Sequence, residues 1–186
     1  MNETIKTILA RRSVRAYKDK PVEADKIDLL LECALAAPTG RNVQPWFFSV
    51  VNSRDLLNRI SAANKQIMSE SADPMAKQAA SDPNFDSFRG APLVIIVSGR
   101  RDASMAAADC ANAVENMAIA ACSLGLGTCY LAGFKPALLA PGGKALLKEL
   151  QIPEGYDPLY GLAIGYTNED PGERPARDRT VIAKIN

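Results

Sequence analysis

Arg11-Arg12-Ser13-Val14-Arg15 is the first stretch of this sequence whose residue types and spacing could do chemistry. In an extended chain alternate side chains share a face, so Arg11, Ser13 and Arg15 point together. Two guanidinium forks and a hydroxyl make a cradle for a phosphate dianion, because arginine presents paired donors and keeps its charge at any working pH. A structural reading competes with this one. Basic residues just past a helix end also complement the helix dipole and its last carbonyls. Spacing alone leaves both open.

Three further stretches carry polar chemistry. Pro38-Thr39-Gly40-Arg41-Asn42-Val43-Gln44-Pro45-Trp46 is rich in turn formers, and Thr39, Asn42 and Gln44 supply hydrogen-bonding groups. Alone, it reads as a tight connector whose amides satisfy its own backbone. Gly125-Leu126-Gly127-Thr128 resembles a dinucleotide fingerprint only superficially. That fingerprint needs a strand before its glycines and a helix after them, and here the order is reversed. In the tail, Arg174, Arg177 and Arg179 lie among Glu169, Asp170, Glu173 and Asp178, a mixture of signs that by itself indicates a solvated surface.

Composition narrows the function classes. The 186 residues contain no histidine, which removes Ser-His-Asp and Cys-His nucleophiles and the commonest transition-metal ligand. No metal site is expected, and an enzyme without histidine points to a borrowed cofactor. Lys and Arg number 22 against 21 Asp and Glu, a net charge of +1, so no nucleic-acid partner is expected. Cys33, Cys110, Cys122 and Cys129 lack the close pairing of zinc or redox motifs. The opening MNETIKTILARR has no signal-peptide core and no stretch is long enough to span a bilayer, so a cytoplasmic location and no membrane partner are expected.

The elements that must position these residues follow from periodicity. Helices are expected at 4–10, capped by Asn2, at 24–36, and after Ser53 through Leu56, Leu57 and Ile60. The longest helix is expected at 102–124, closed by Gly125 and rich enough in alanine for close helix approach. Buried strands are expected at 46–51, 93–98, 128–131 and 159–166, short helices within 136–150, and an edge strand at 181–185. The polar, proline-broken stretch 64–90 reads as a partly helical cover over a site. This pattern argues for an α+β domain over residues 1–186, with 168–186 as a C-terminal tail.

In this order the segments resemble the nitroreductase-like FMN-dependent oxidoreductase family. Arg-Arg-Ser-x-Arg after a first short helix and Pro-Thr-Gly-x-Asn-x-Gln-Pro-Trp opening a strand are the specific motifs. Ala91-Pro92 before a strand, Leu-Gly-Leu-Gly-Thr leading to Ala132-Gly133-Phe134, and Gly-Leu-Ala-Ile-Gly-Tyr before an arginine-bearing tail add to them in sequence. The resemblance implies a central, mostly antiparallel sheet flanked by helices, and an intertwined homodimer with FMN at its interface. It implies that Arg11, Arg12, Ser13 and Arg15 hold the FMN phosphate and reach the pyrimidine edge. Pro38, Thr39, Gly40, Asn42 and Gln44 would contact the flavin from the partner subunit. Leu131, Ala132 and Gly133 would bring backbone near its reactive edge, with main-chain contacts only at Ala132, where relatives often carry an acidic residue. Asn84 would lie near the ring, and Arg174 and Arg177, or Arg179 instead, would return to the phosphate.

The activity implied is ping-pong hydride transfer through flavin N5, from NADPH or NADH to a nitroaromatic, quinone or related small acceptor. No protein acid or base is identified. Arg15 would stabilise negative charge near flavin N1 and O2. The alternatives are a dehalogenase or flavin-processing enzyme on the same fold, a non-catalytic flavin store or sensor, and a binder of some other phosphate ligand.

Overall fold

The computed structural model describes residues 1–185. The last position of the 1–186 unit, and so of its tail, lies outside them. The chain runs α1 (Glu3–Ala10), α2 (Ala24–Leu35), β1 (Trp46–Val51), α3 (Arg54–Glu70), α4 (Pro74–Ser81), β2 (Leu93–Arg100), α5 (Ala106–Ser123), β3 (Gly127–Leu131), α6 (Lys135–Leu139), α7 (Lys144–Glu149) and β4 (Tyr156–Gly165). The four strands form one antiparallel sheet in the order β1-β2-β4-β3.

Pleating sorts the apolar run of β2 onto two faces. Leu93, Ile95 and Val97 pack with Leu30 and Ala34 of α2 and with Ala113, Val114 and Met117 of α5. Val94 and Ile96 face the other way, onto Leu57 and Ile60 of α3, Phe88, Phe134 and Leu138. The fold is therefore α+β in three layers, with helices on both faces of the sheet. Burial on both sides explains why β2 reads as continuous apolar sequence rather than alternation.

Local chemistry sets the helix ends. The side chain of Asn2 accepts from the N–H of Ile5 and that of Ser53 from the N–H of Leu56, each closing an N-terminus as expected. Gly125, at φ 74°, turns the chain after α5. The alanines of α5 admit α2 at close range, where Asn116 donates to the Cys33 carbonyl at 3.0 Å.

Three departures from expectation exceed a residue or two. The long helix begins at Ala106 rather than at 102, because Arg100 donates to Asp102 and the N–H of Ala103 bonds the Arg100 carbonyl, forming a turn there. β4 starts at Tyr156 and runs through Pro158, where a register shift between Val97 and Ser98 absorbs the missing donor. Residues 181–185 form no strand. Val181, Ile182 and Ile185 are instead 78, 58 and 94% exposed, since within one chain they pair with neither edge of the sheet.

Candidate functional site

The arginine segment is held extended along the edge of the sheet. Ser13 bridges Thr128 of β3 in parallel fashion, and the Val14 N–H donates to the Thr128 carbonyl at 2.8 Å. Val14 is buried beneath, and its side chain fills the space above Gly127, where a Cβ would approach within 2.8 Å of it. With Val14 turned inward, its neighbours Ser13 and Arg15 turn outward. Tyr17 staples the far end, its hydroxyl donating to the Val14 carbonyl at 2.7 Å. Burial pushes the ionisation of that hydroxyl far up, so it remains a donor.

The chain after β4 returns to the same place. Thr167 bridges Tyr17, the Asn168 N–H donates to the Ala16 carbonyl at 2.9 Å, and the Glu169 carboxylate accepts from the backbone N–H of Arg15. A cleft of about 470 Å³ results, lined by Arg11, Arg12, Ser13, Arg15, Arg174 and Arg177 together with Glu115, Glu173 and neighbouring residues. Five arginines face two glutamates, an excess of positive charge in a chain that is nearly neutral overall. Arg11 lies 3.6 Å from Glu115. Arg179 does not line this cleft; Arg174 and Arg177 both do.

Arg12 combines the two readings of its motif. Its Nη1 donates to the carbonyls of Leu9 and Arg11 at 2.8 and 2.9 Å, capping α1, while its Nε is buried without a partner. Arg12 is thus structural first, and Arg11, Ser13 and Arg15 carry the freer donors.

Arg15 also belongs to a second, larger cleft of about 770 Å³. Leu131 and Gly133 line it from the end of β3, and Asn84, Phe85, Ser87 and Arg89 from the 64–90 stretch. Ala132 is exposed beside them without lining the cleft. Neither Ala132 nor Gly133 donates its N–H to another described residue, so two backbone donors stand open at the rim. Asn64 lies 1% exposed under the same cleft. Its Nδ2 donates to Ser87 at 3.1 Å, and its buried Oδ1 has no partner. Asn64 and Arg89 were missed in the sequence. The available signal for Asn64 was a polar side chain on the buried stripe of α3, beyond Leu57, Ile60 and Ser61. Arg89 sits in a polar stretch without periodicity and gave no such signal.

The loop after α2 lies elsewhere. Gly40 lines a separate cleft with Arg41, Val43, Met105 and Asp109, and none of Pro38, Thr39, Gly40, Asn42 or Gln44 reaches either cleft described above. Its polar groups are spent locally: Thr39 Oγ1 accepts from the Gln44 N–H at 3.2 Å, and Gln44 Nε2 donates to Asn42 Oδ1 at 3.2 Å. Yet Arg41, Asn42 and Gln44 all hold positive φ, at 53, 55 and 48°. Such conformations cost non-glycine residues about 1 kcal/mol or more each, and they concentrate at binding sites.

A three-layer α+β fold with paired clefts at the sheet end, one of them rich in arginine, defines the class. The nitroreductase family model matches residues 8–166, and the chain belongs to the nitroreductase family. An FMN reductase (NADPH) of Bacillus subtilis is 30% identical over 100% of this chain and 74% of its own length. A nitroreductase of Bacteroides fragilis solved with bound FMN superposes with a TM-score of 0.93 at 30% identity, covering 100% of both chains. Another from Desulfitobacterium hafniense, also with bound FMN, gives 0.93 at 26% identity with the same coverage.

Proposed function

We propose that this protein is an FMN-dependent NAD(P)H oxidoreductase that reduces nitroaromatic, quinone or related small acceptors. The observation that carries the reading is the junction of the two clefts at Arg15. An arginine-rich cleft suited to a phosphate and a larger one with room for a ring system share Arg15 in their linings. The residues fit the cofactor: arginines in excess over glutamates for the phosphate, open N–H groups at Ala132 and Gly133, and no side chain in the space beyond Gly133. Bound FMN supplies a ring that accepts a hydride from the nicotinamide and passes reducing equivalents to the acceptor in a second half-reaction.

The chain's own part is binding and electrostatics. Arg11, Ser13, Arg174 and Arg177 hold the phosphate, with Arg12 fixing the end of α1 beneath them. Arg15, at the junction, offsets negative charge developing at the pyrimidine end of the ring. Asn84, Leu131 and the backbone at residues 132–133 frame the ring, and the 64–90 stretch covers it. The loop of Pro38, Thr39, Gly40, Asn42 and Gln44 reaches the flavin of the partner subunit. Its distance from this chain's own clefts and its left-handed backbone support that assignment.

The protein is proposed to act as a homodimer of single-domain chains with FMN at the interface. Its accessible surface is 11063 Å², against about 8,700 Å² expected for a folded monomer of 19.9 kDa. The excess includes apolar side chains on α1 (Ile5, Ile8, Leu9), α2 (Leu29, Leu35) and the tail (Val181, Ile182, Ile185). Four free cysteines fit a reducing cytoplasm, and among the described residues no helix is long and apolar enough to cross a membrane.

The test is the visible absorption spectrum of the purified protein, then release and identification of the chromophore. A steady-state assay with NADPH or NADH and a nitroaromatic or quinone completes it. A yellow protein releasing about one FMN per chain, with turnover, supports the reading. A colourless protein that also fails to take up added FMN overturns it. Bound FMN without turnover makes the protein a flavin store or sensor.

A further inference from the structure

The turn from Asp86 to Gly90 presents a cation that the phosphate cradle does not use. Phe88 is fully buried and stacks at a tilt on Phe134, ring centroids 5.5 Å apart. The Asp86 carboxylate accepts from the N–H groups of Phe88 and Gly90, both at 2.8 Å, and Arg54 donates to the Gly90 carbonyl at 2.7 Å. Those bonds fix the chain on both sides of Arg89, whose backbone sits at φ 61°. Glycine would adopt that conformation without cost; an arginine there is held by its surroundings.

The Arg89 side chain lines the 770 Å³ cleft opposite no acidic partner. Among the described residues it forms no side-chain hydrogen bond or ion pair, and the residue is exposed. The two carboxylates lining the same cleft are engaged elsewhere. Asp86 bonds its own turn and lies 3.8 Å from Arg54, and Asp82 accepts from the Asn84 N–H at 2.9 Å. Arg15 lines the same cleft. The cleft thus holds an unpaired planar cation carried on a fixed backbone turn, in addition to Arg15.

We propose that Arg89 is a specificity-determining residue that binds an oxyanion, carboxylate or phosphate, carried by the substrate that stacks on the flavin ring in this cleft. The guanidinium fork matches either group through paired, charge-assisted hydrogen bonds. The oxyanion is either a carboxylate of the acceptor or a phosphate of the dinucleotide donor. This assignment rests on the flavin reading above.

The experiment uses the flavin-loaded protein and its Arg89→Gly and Arg89→Lys variants. Glycine suits the backbone at this position, so Arg89→Gly removes the side chain while sparing the fold. FMN content per chain and thermal midpoint are measured first, and both are expected to match the parent. In ping-pong kinetics kcat/KM is obtained separately for donor and acceptor, here with NADPH, with neutral nitrobenzene and with 4-nitrobenzoate. Calorimetric titration with benzoate gives binding without turnover.

In Arg89→Gly, a loss of about tenfold to a hundredfold for 4-nitrobenzoate and benzoate, with nitrobenzene unchanged, assigns the site to an acceptor carboxylate. A similar loss for NADPH with both acceptors unchanged assigns it to a donor phosphate. Arg89→Lys is expected to recover part of either loss. Equal effects on charged and neutral ligands, or no effect on any, overturn the proposal while the flavin reading stands. Parent protein that neither contains nor takes up FMN overturns both, and does so before any substrate is added.

Discussion

Arg11, Arg12 and Arg15 lie within five residues of one another yet do different work, because their surroundings differ. Arg12 spends one guanidinium nitrogen on the last carbonyls of α1. Arg11 and Arg15 keep donors toward the clefts. Arg11→Ala is therefore expected to weaken FMN binding about tenfold to a hundredfold, the range of one charge-assisted contact, by titration of flavin fluorescence. Arg12→Ala is expected to lower the thermal midpoint by more than Arg11→Ala, since it removes a helix cap worth about 1 kcal/mol. Arg15→Ala is expected to lower the flavin reduction potential and slow flavin reduction more than Lys20→Ala. Lys20 is occupied outside both clefts, 3.2 Å from Glu23 and 3.8 Å from the centre of the Tyr166 ring. Equal potentials in those two variants would remove the electrostatic role from Arg15.

At the scale of elements, the site depends on one close approach. The arginine segment lies against β3 because Gly127 leaves room for Val14, whose branched side chain occupies the space of the missing Cβ. Gly127→Ala forces Val14 outward, and a branched residue anchored by backbone bonds to Thr128 has little freedom to yield. The expected result is a loss of about 1–3 kcal/mol in denaturant unfolding, accompanied by weaker FMN binding, because the cradle shifts with its backbone. A variant of parental stability and parental affinity would show that the segment is positioned by its other contacts alone. Periodicity and turn chemistry made nearly all of these elements legible in the sequence: β1 falls on the expected residues, and both side-chain caps close the expected helices. The misses have two causes, a local side-chain bond at Asp102 and a long-range strand pairing at Pro158. Asp102 is bound by Arg100 and stays out of α5, and β4 continues through Pro158 by way of a register shift in its partner.

At the scale of the whole molecule, the single chain exposes more surface than its mass requires, and the extra surface is partly apolar. Sedimentation is expected to give twice 19.9 kDa for the flavin-loaded protein. A stable monomer retaining flavin would contradict a site shared between subunits. The 38–44 loop belongs to this scale as well. Within one chain it bonds to itself and to Asp109, the behaviour of a simple connector, and its proposed contact with flavin exists only across a subunit boundary.

The sequence by itself determined which chemistry was available: a chain without histidine, an alternating arginine-serine-arginine face, and apolar runs of strand and helix period. These are local properties, set by residue type and by the geometry of the nearest few peptide units. Which side chains would share a cleft was decided only by the tertiary structure. Arg15, Asn64, Asn84, Arg89 and Gly133 meet because the sheet order β1-β2-β4-β3 places the end of β3 beside the arginine segment, and α3 carries its own continuation over both. Such convergence depends on packing between residues far apart in the chain, and no short window of sequence contains it.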